Sequence, residues 1–480
     1  MIRVVVVAAV APAALAPGVV LLVVLTVLAL ALVAVRRLQV RRGMSLQTSR
    51  KAAHVTTSLV ALSLPWLFDD PWPVLVLAGL AVLSMLAVRL VPAFRGVGGV
   101  LWGTEPQSVG DVAFPVAVAL LFVLTADSPV LYVIPLLLLG LAAPAAALVG
   151  ARHGLSPFAT DRGTKSREES VAFAFVAFLC VHVPLLVFTP IGRAESLWVA
   201  AVIALLATLV EAVSWGGLDN LFVPVGTYAV LMRLMTFDAT LLAGHFATLL
   251  LLIGVAALLR RETTVGGAGV FGAALVGYVV WALGGTAWLL PPVMVYLLYA
   301  RVWPAAAEAD GLPHDAERRP HTAHNVFSVS SVGVLWLITS SALGAELLVP
   351  YAIAWGAYLT FLGVDRMRVA RPYWSVGQLA WRAAWRATLI AVCPVLVVVW
   401  LRVWADLASG VPGTTPSPDR PVLLTAVIVA SALVATWISA AILARWKRVI
   451  DEESTEFEGR VYRAGIVVPV SALGLIALLV

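Results

Sequence analysis

Three observations predict an all-α, multi-pass membrane fold for this chain of 480 residues. It is 61% hydrophobic and only 12% charged, with a mean hydropathy of +0.99, whereas soluble domains carry about 25% charged residues. Apolar runs near the roughly 20 residues that a helix needs to cross hydrocarbon recur from end to end. None shows the two-residue alternation of a barrel strand. Backbone groups in lipid must satisfy their own hydrogen bonds, so the spans are helices.

The expected spans are 14–35, 53–68, 72–91, 111–126, 129–150, 170–189, 195–213, 219–236 and 239–259, followed by 268–284, 286–303, 326–343, 346–364, 383–402, 422–443 and 464–480. Pro65, Pro115, Pro135 and Pro144 interrupt several of them, which leaves about 14–16 helices. The first span opens like a signal peptide, but its apolar character runs on to Val35 and it reads as an uncleaved helix. Arg36, Arg37, Arg41, Arg42, Arg50 and Lys51 follow it, and basic residues between spans mark the cytoplasmic side. Strict alternation then places the acidic Phe68–Pro73 loop outside and the Arg152–Arg167 loop inside. The segment Arg260–Gly269 marks a boundary between two membrane modules, 1–260 and 261–480. Pro304–His324 reads as a soluble loop and Ala408–Pro421 as an outside turn.

A net charge of +6 would suggest nucleic acid in a soluble protein. Here the basic residues cluster between spans, so topology and anionic membrane lipids account for them, and no nucleic-acid partner is expected. Cys180 and Cys393 both lie in apolar runs, with no pattern of a disulfide framework or a metal site.

Two polar islands interrupt the apolar sequence. The first, Ala147–Ser170, carries Gly150 and Gly154, which let a backbone approach a ligand closely, and Lys165-Ser166 ahead of Glu168 at a helix start. Backbone amides and a helix N-terminus attract phosphate. Equally, Ser166 can be an ordinary N-cap with Glu169 completing a capping box. The second, Glu211–Pro224, brackets Gly216-Gly217 between Glu211 and Asp219-Asn220. Carboxylate and amide oxygens at that spacing suit Mg²⁺ shared with substrate phosphates. Arg50, Lys51 and His54 open the second span, either as a headgroup anchor or with their charges on a phosphate. Asp111 reads as a helix cap. In the second module, Asn325 with Ser328, Ser330 and Ser331 would line a polar crevice.

These residues carry a resemblance. Arg50-Lys51-x-x-His54, Gly110-Asp111-x-x-Phe114-Pro115, Gly150-x-x-x-Gly154, Lys165-Ser166-x-Glu168-x-Ser170 and Glu211…Gly217-Leu218-Asp219-Asn220…Pro224 are similar, in order, to the motifs of the dolichol kinase and phytol kinase family. The likeness covers about residues 50–231. It implies a membrane enzyme that phosphorylates a polyprenol or phytol-like isoprenoid alcohol at the cytoplasmic face of the plasma membrane, with CTP or another nucleotide as donor. By the same likeness Lys165, Glu168, Glu211, Asp219 and Asn220 are catalytic, and Glu211 and Asp219 hold Mg²⁺. Arg50, Lys51, His54, Gly150, Gly154, Ser166 and Gly217 bind substrate and nucleotide.

The chain departs from that pattern at two points. Ala143-Pro144 stands where the family places an Asp, and Glu169 where it places a Gly. The segment from Val265 to Pro291 resembles, more distantly, the opening of the phytyl-phosphate kinase family of the vitamin E pathway, with Val329 in place of an expected Asn. The second module is therefore expected to be degenerate. Two rivals follow from the residues: a prenyl-diphosphate lyase or cyclase on the same scaffold, and a non-catalytic lipid-binding protein or transporter.

Overall fold

The computed structural model describes residues 16–90, 109–126, 128–160, 163–214, 216–259, 267–309, 323–370, 373–409, 419–453 and 456–479. Much of the expected module boundary at Arg260–Gly269 and of the loops at Pro304–His324 and Ala408–Pro421 lies outside these residues. The chain divides into two compact units, Met1–Leu250 and Leu251–Val480.

The first unit contains α1 (Pro17–Arg42), α2 (Leu46–Ser63), α3 (Trp72–Leu90), α4 (Gly110–Leu124), α5 (Pro129–Leu137), α6 (Ala143–His153), α7 (Arg167–Phe188), α8 (Arg193–Val213) and α9 (Asp219–Leu234). The division between units falls within α10 (Ala239–Leu259). Ten helices among the described residues are long and apolar enough to cross a membrane, and four shorter apolar helices, α3, α4 and two in the second unit, accompany them. The multi-pass all-α class is therefore what the structure shows. Neither α2 nor α9 is among these helices, and composition explains why. The former carries Arg50, Lys51, His54 and six hydroxyl residues, and the latter begins Asp-Asn and holds Arg233 near its end.

A π-helical turn over Leu138–Ala142 joins α5 to α6, so that Pro129–His153 forms one span. Pro144 offers no N–H to the carbonyl of Gly140 and its ring crowds that carbonyl, and a wider turn relieves both problems. Gly140 sits against α2, where a Cβ would come within 2.7 Å of Ser58 Cβ. Nearby, Tyr132 donates its hydroxyl proton to the Ala61 carbonyl at 2.9 Å.

The first polar island is more ordered than a loop. Helix α6 continues through it to His153, and then β1 (Pro157–Thr160) and β2 (Gly163–Ser166) form an antiparallel hairpin with Phe158 opposite Lys165. Successive side chains of a strand point to opposite faces. Lys165 and Ser166 are thereby sent in different directions, a separation that the site uses.

The second unit contains α11 (Gly267–Gly284), α12 (Thr286–Ala309), α13 (Ala323–Leu343), α14 (Leu348–Ala370), α15 (Val376–Ser409), α16 (Asp419–Glu453) and α17 (Glu456–Ser471), ending in a 3₁₀ segment, Ala472–Leu479. Its axis is α14, which is largely apolar and buried over Leu348–Val364 and contributes to three buried clusters, through Tyr358, Tyr351 and Ile353 among others. A helix of that pattern belongs inside a bundle. Polar braces cross the unit: Trp336 Nε1 donates to Ser471 Oγ at 2.8 Å, and Arg460 donates to Asn325 Oδ1 at 3.1 Å. Ser330 and Ser331 donate to the carbonyls of Val326 and Ser328 on their own helix. Those residues act as helix braces in the described structure, where the sequence suggested a polar crevice.

Candidate active site

The charged groups that line the large cavity of the first unit sit at helix ends, except Lys165 on β2, and the fold brings those ends together. Arg50 and Lys51 lie near the start of α2, Asp111 in the first turn of α4, Glu169 in the first turn of α7 and Asp219 in the first turn of α9. Glu211 is near the end of α8, and Lys165 comes from β2, just before α7. The N-termini of α2, α4, α7 and α9 thus share one end of the bundle. Unpaired N–H groups and the helix dipole make that end favourable for anions. The cavity has a volume of about 1120 Å³, slightly above the roughly 300–1,000 Å³ of ordinary ligand pockets.

Its charged groups form a network. Lys165 is ion-paired to the Glu211 carboxylate and also donates to the Glu211 carbonyl at 3.2 Å. The two side chains are 20% and 14% exposed, which shields the pair from much of the screening that weakens surface ion pairs. Arg89, at the end of α3, is ion-paired to Asp111. Val109 occupies the N-cap position of α4 without a side-chain cap bond, so Asp111 is an ion-pair partner rather than the cap that the sequence suggested. Burial lowers the Lys51 ammonium below the ordinary lysine range, the Arg50 charge adds to this, and the Glu169 and Glu211 carboxylates oppose it. His54 lines the cavity and meets Phe114 edge to face at 5.2 Å between ring centres.

The glycine turn before α9 is built by its backbone. Gly216 and Gly217 have φ of 61° and 88°, the left-handed region that a Cβ disfavours. Val109 N donates to the Gly216 carbonyl at 2.5 Å, and Asn220 Nδ2 donates to the Gly110 carbonyl at 2.8 Å. A Cβ on Gly110 would come within 2.8 Å of that Asn220 nitrogen and 3.1 Å of Gly217 Cα. Close approach of α4 to the turn therefore requires glycine at 110 as well as at 217. Asn220 clamps these two elements together and also lines the cavity.

Eight of the residues singled out from sequence line this cavity: Arg50, Lys51, His54, Lys165, Glu211, Gly217, Asp219 and Asn220. Four do not. The Glu168 carboxylate turns back to accept from Ser156 N at 3.2 Å, and Ser166 Oγ accepts from Glu169 N at 3.1 Å as the N-cap of α7. The expected ligand-facing glycines serve packing instead. A Cβ on Gly150 would meet Glu169 Oε2 at 2.8 Å, and one on Gly154 would meet the Gly150 carbonyl oxygen at 2.5 Å. The carboxylate that α7 does present to the cavity is Glu169. The sequence marked it only as the partner of Ser166 in a capping box. The apolar wall from α1 and α3 was not anticipated, because nothing in an all-apolar run marks one face as a binding surface.

Among the described residues, no group of three or more His, Cys, Asp or Glu side chains converges closely enough to hold a metal ion. The donor set suits an ion held by one or two carboxylates together with phosphate oxygens, which is how Mg²⁺ is ordinarily bound. It does not form a cage made of protein ligands alone.

Comparison with known proteins gives a distant, partial likeness. A phytol kinase of Synechocystis sp. (strain ATCC 27184 / PCC 6803 / Kazusa) is 28% identical to this chain over 187 residues, covering 38% of this chain and 76% of the kinase. No family model matches the chain, and no solved structure matches it. The likeness extends to part of the chain only, and no finding attaches a kinase family to the second unit.

Proposed function

We propose that this chain is an integral membrane enzyme that phosphorylates an isoprenoid alcohol, with CTP or a related nucleotide as donor and its active end at the cytoplasmic face. One observation carries the reading: a single cavity joins a mouth of charged residues to a wall of apolar residues from membrane-embedded helices. That arrangement suits an amphiphile whose hydroxyl must meet a phosphate. The distant likeness to a phytol kinase supports the same class of reaction. The basic residues in the last turns of α1, Arg36 to Arg42, support the cytoplasmic orientation.

Arg50, Lys51 and Lys165 hold the nucleotide phosphates, and Lys165 exchanges its ion pair with Glu211 for phosphate oxygens as the donor enters. Glu211 and Asp219 would hold Mg²⁺, which would supply neutralisation of charge on the transferring phosphoryl group. The alcohol oxygen attacks the terminal phosphorus, the bond to the departing nucleoside diphosphate breaks, and the hydroxyl proton passes to Asp219. Asn220 keeps the turn that carries Asp219 against α4. Most of the rate gain in such a site comes from positioning and charge.

The test is to incubate the purified protein with CTP, Mg²⁺ and farnesol, geranylgeraniol or a polyprenol, and to follow label into the lipid phase. A lipid phosphate is the expected product. Transfer to none of the three overturns the kinase reading, and product formation from prenyl diphosphates without nucleotide identifies a lyase or cyclase in its place.

A further inference from the structure

Helix α15 of the second unit, whose stretch Val376–Ala405 is long and apolar enough to span a membrane, carries an arginine near each end of that stretch, and the two are served differently. Exposed Trp381 and Trp404 mark the two ends. They are twenty-three residues apart, a rise of about 35 Å. That length matches roughly 30 Å of hydrocarbon and puts both rings at the aromatic belts of a bilayer. At the Trp404 end, Arg402 donates to both oxygens of the Glu346 carboxylate, at 2.8 and 2.7 Å. At the Trp381 end, Arg382 lies over the Trp374 ring, with its guanidinium carbon 4.3 Å from the ring centre. No carboxylate of the described residues is ion-paired with it.

The surroundings of Arg382 fit a phosphate joined to acyl chains. Arg382 is exposed, as are Trp381, Trp385 and Leu389 beside it, whereas Ala380, Ala383, Ala384 and Ala387 are buried in the bundle. Helix side chains lean toward the N-terminus, which directs the guanidinium to the Trp374 end and away from hydrocarbon. A ring face leaves the N–H edge of the guanidinium open, and that edge matches two phosphate oxygens at once. A charge at membrane depth is costly without a counter-charge. Arg386, one turn further along, adds positive charge to the same end.

We infer that Arg382 holds the phosphate of an anionic glycerophospholipid beside Trp374, with an acyl chain along Trp381, Trp385 and Leu389. The headgroup supplies the counter-charge that Glu346 supplies at the other belt. A zwitterionic lipid brings its own ammonium, which competes for the phosphate, and is held less tightly. The site uses no residue of the first unit and stands apart from the prenol reading.

The experiment is native mass spectrometry of the full-length protein in detergent, titrated with phosphatidylglycerol or with phosphatidylcholine of the same acyl chains. Arg382→Gln and Arg402→Gln change the net charge equally, so overall charge cannot separate them. The parent is expected to prefer phosphatidylglycerol, Arg382→Gln to lower that preference about fivefold, and Arg402→Gln to leave it within about twofold of the parent. Arg382→Lys restores the charge and with it most of the preference, which separates loss of the contact from loss of folding. A preference that Arg382→Gln leaves unchanged, or an equal fall in both glutamine variants, overturns the proposal. So does a lipid-free dimer of the chain that Arg382→Gln dissolves, since a carboxylate of a second copy is then the partner. Inorganic phosphate that binds as tightly as the lipid overturns it as well, because the acyl chain then contributes nothing.

Discussion

Two adjacent glutamates at the start of α7 divide their roles by direction alone. Neighbouring residues on a helix point about 100° apart, so Glu168 reaches back to Ser156 while Glu169 enters the cavity. Glu169→Gln is expected to lower phosphate transfer about tenfold, the scale of one charge-assisted contact, while Glu168→Gln stays within about twofold of the parent; steady-state assays of both variants check this. Lys51 gives a second prediction. Burial lowers its ammonium, so its charge is lost at a lower pH than the value near 10.4 of an exposed lysine. Nucleotide binding should weaken as pH rises through that lowered value, because the charged form exists below it. Lys51→Arg should remove this alkaline limb, since a guanidinium keeps its charge; a titration of nucleotide affinity against pH measures both. The residue types of the site were readable in the sequence, because ionisable groups beside apolar spans are costly unless they are used. The choice between Glu168 and Glu169 was not, since it depends on the hairpin that fixes where α7 begins.

At the level of elements, the meeting of α4 with the turn before α9 holds two catalytic candidates in place. Gly217→Ala puts a Cβ on a residue with φ of 88°, at a cost of about 1–2 kcal/mol. Thermal unfolding in detergent is expected to show the loss. Gly226→Ala serves as the control, because it has neither a positive φ nor any atom within 4 Å of the added Cβ. The sequence made this turn legible: paired glycines between a Glu and an Asp-Asn have few other uses. It gave no sign that Gly110, far away in the chain, is the other half of the joint. The hairpin β1–β2 was illegible for a different reason. Its strands are four residues each, too short for a two-residue period to stand out against the neighbouring charges. The π-helical turn could be inferred only in part: Pro144 marks an interruption, but the form of the interruption is set by packing of Gly140 on α2.

For the molecule as a whole, the prediction concerns sidedness. In a Cys393→Ser background, with Cys180 already buried, a cysteine at exposed Asp69 and one at exposed Leu155 should react with an impermeant maleimide from opposite sides of a sealed vesicle. Labelling of both from one side would break the alternation on which the site's orientation rests. Apolar runs and basic loops suffice to propose this alternation, because both follow from the solvent properties of the bilayer and require no knowledge of tertiary contacts. The alternation carries one more consequence, which is a matter of parity. Arg50, Asp111, Lys165, Glu211 and Asp219 meet only if the chain makes an even number of crossings between each of them and the next, from α2 to α9. A single span gained or lost between Arg50 and Asp219 would leave every helix intact and put cations and carboxylates on opposite sides of the membrane. Within that stretch, crossings can be added or removed only in pairs if the site is to survive.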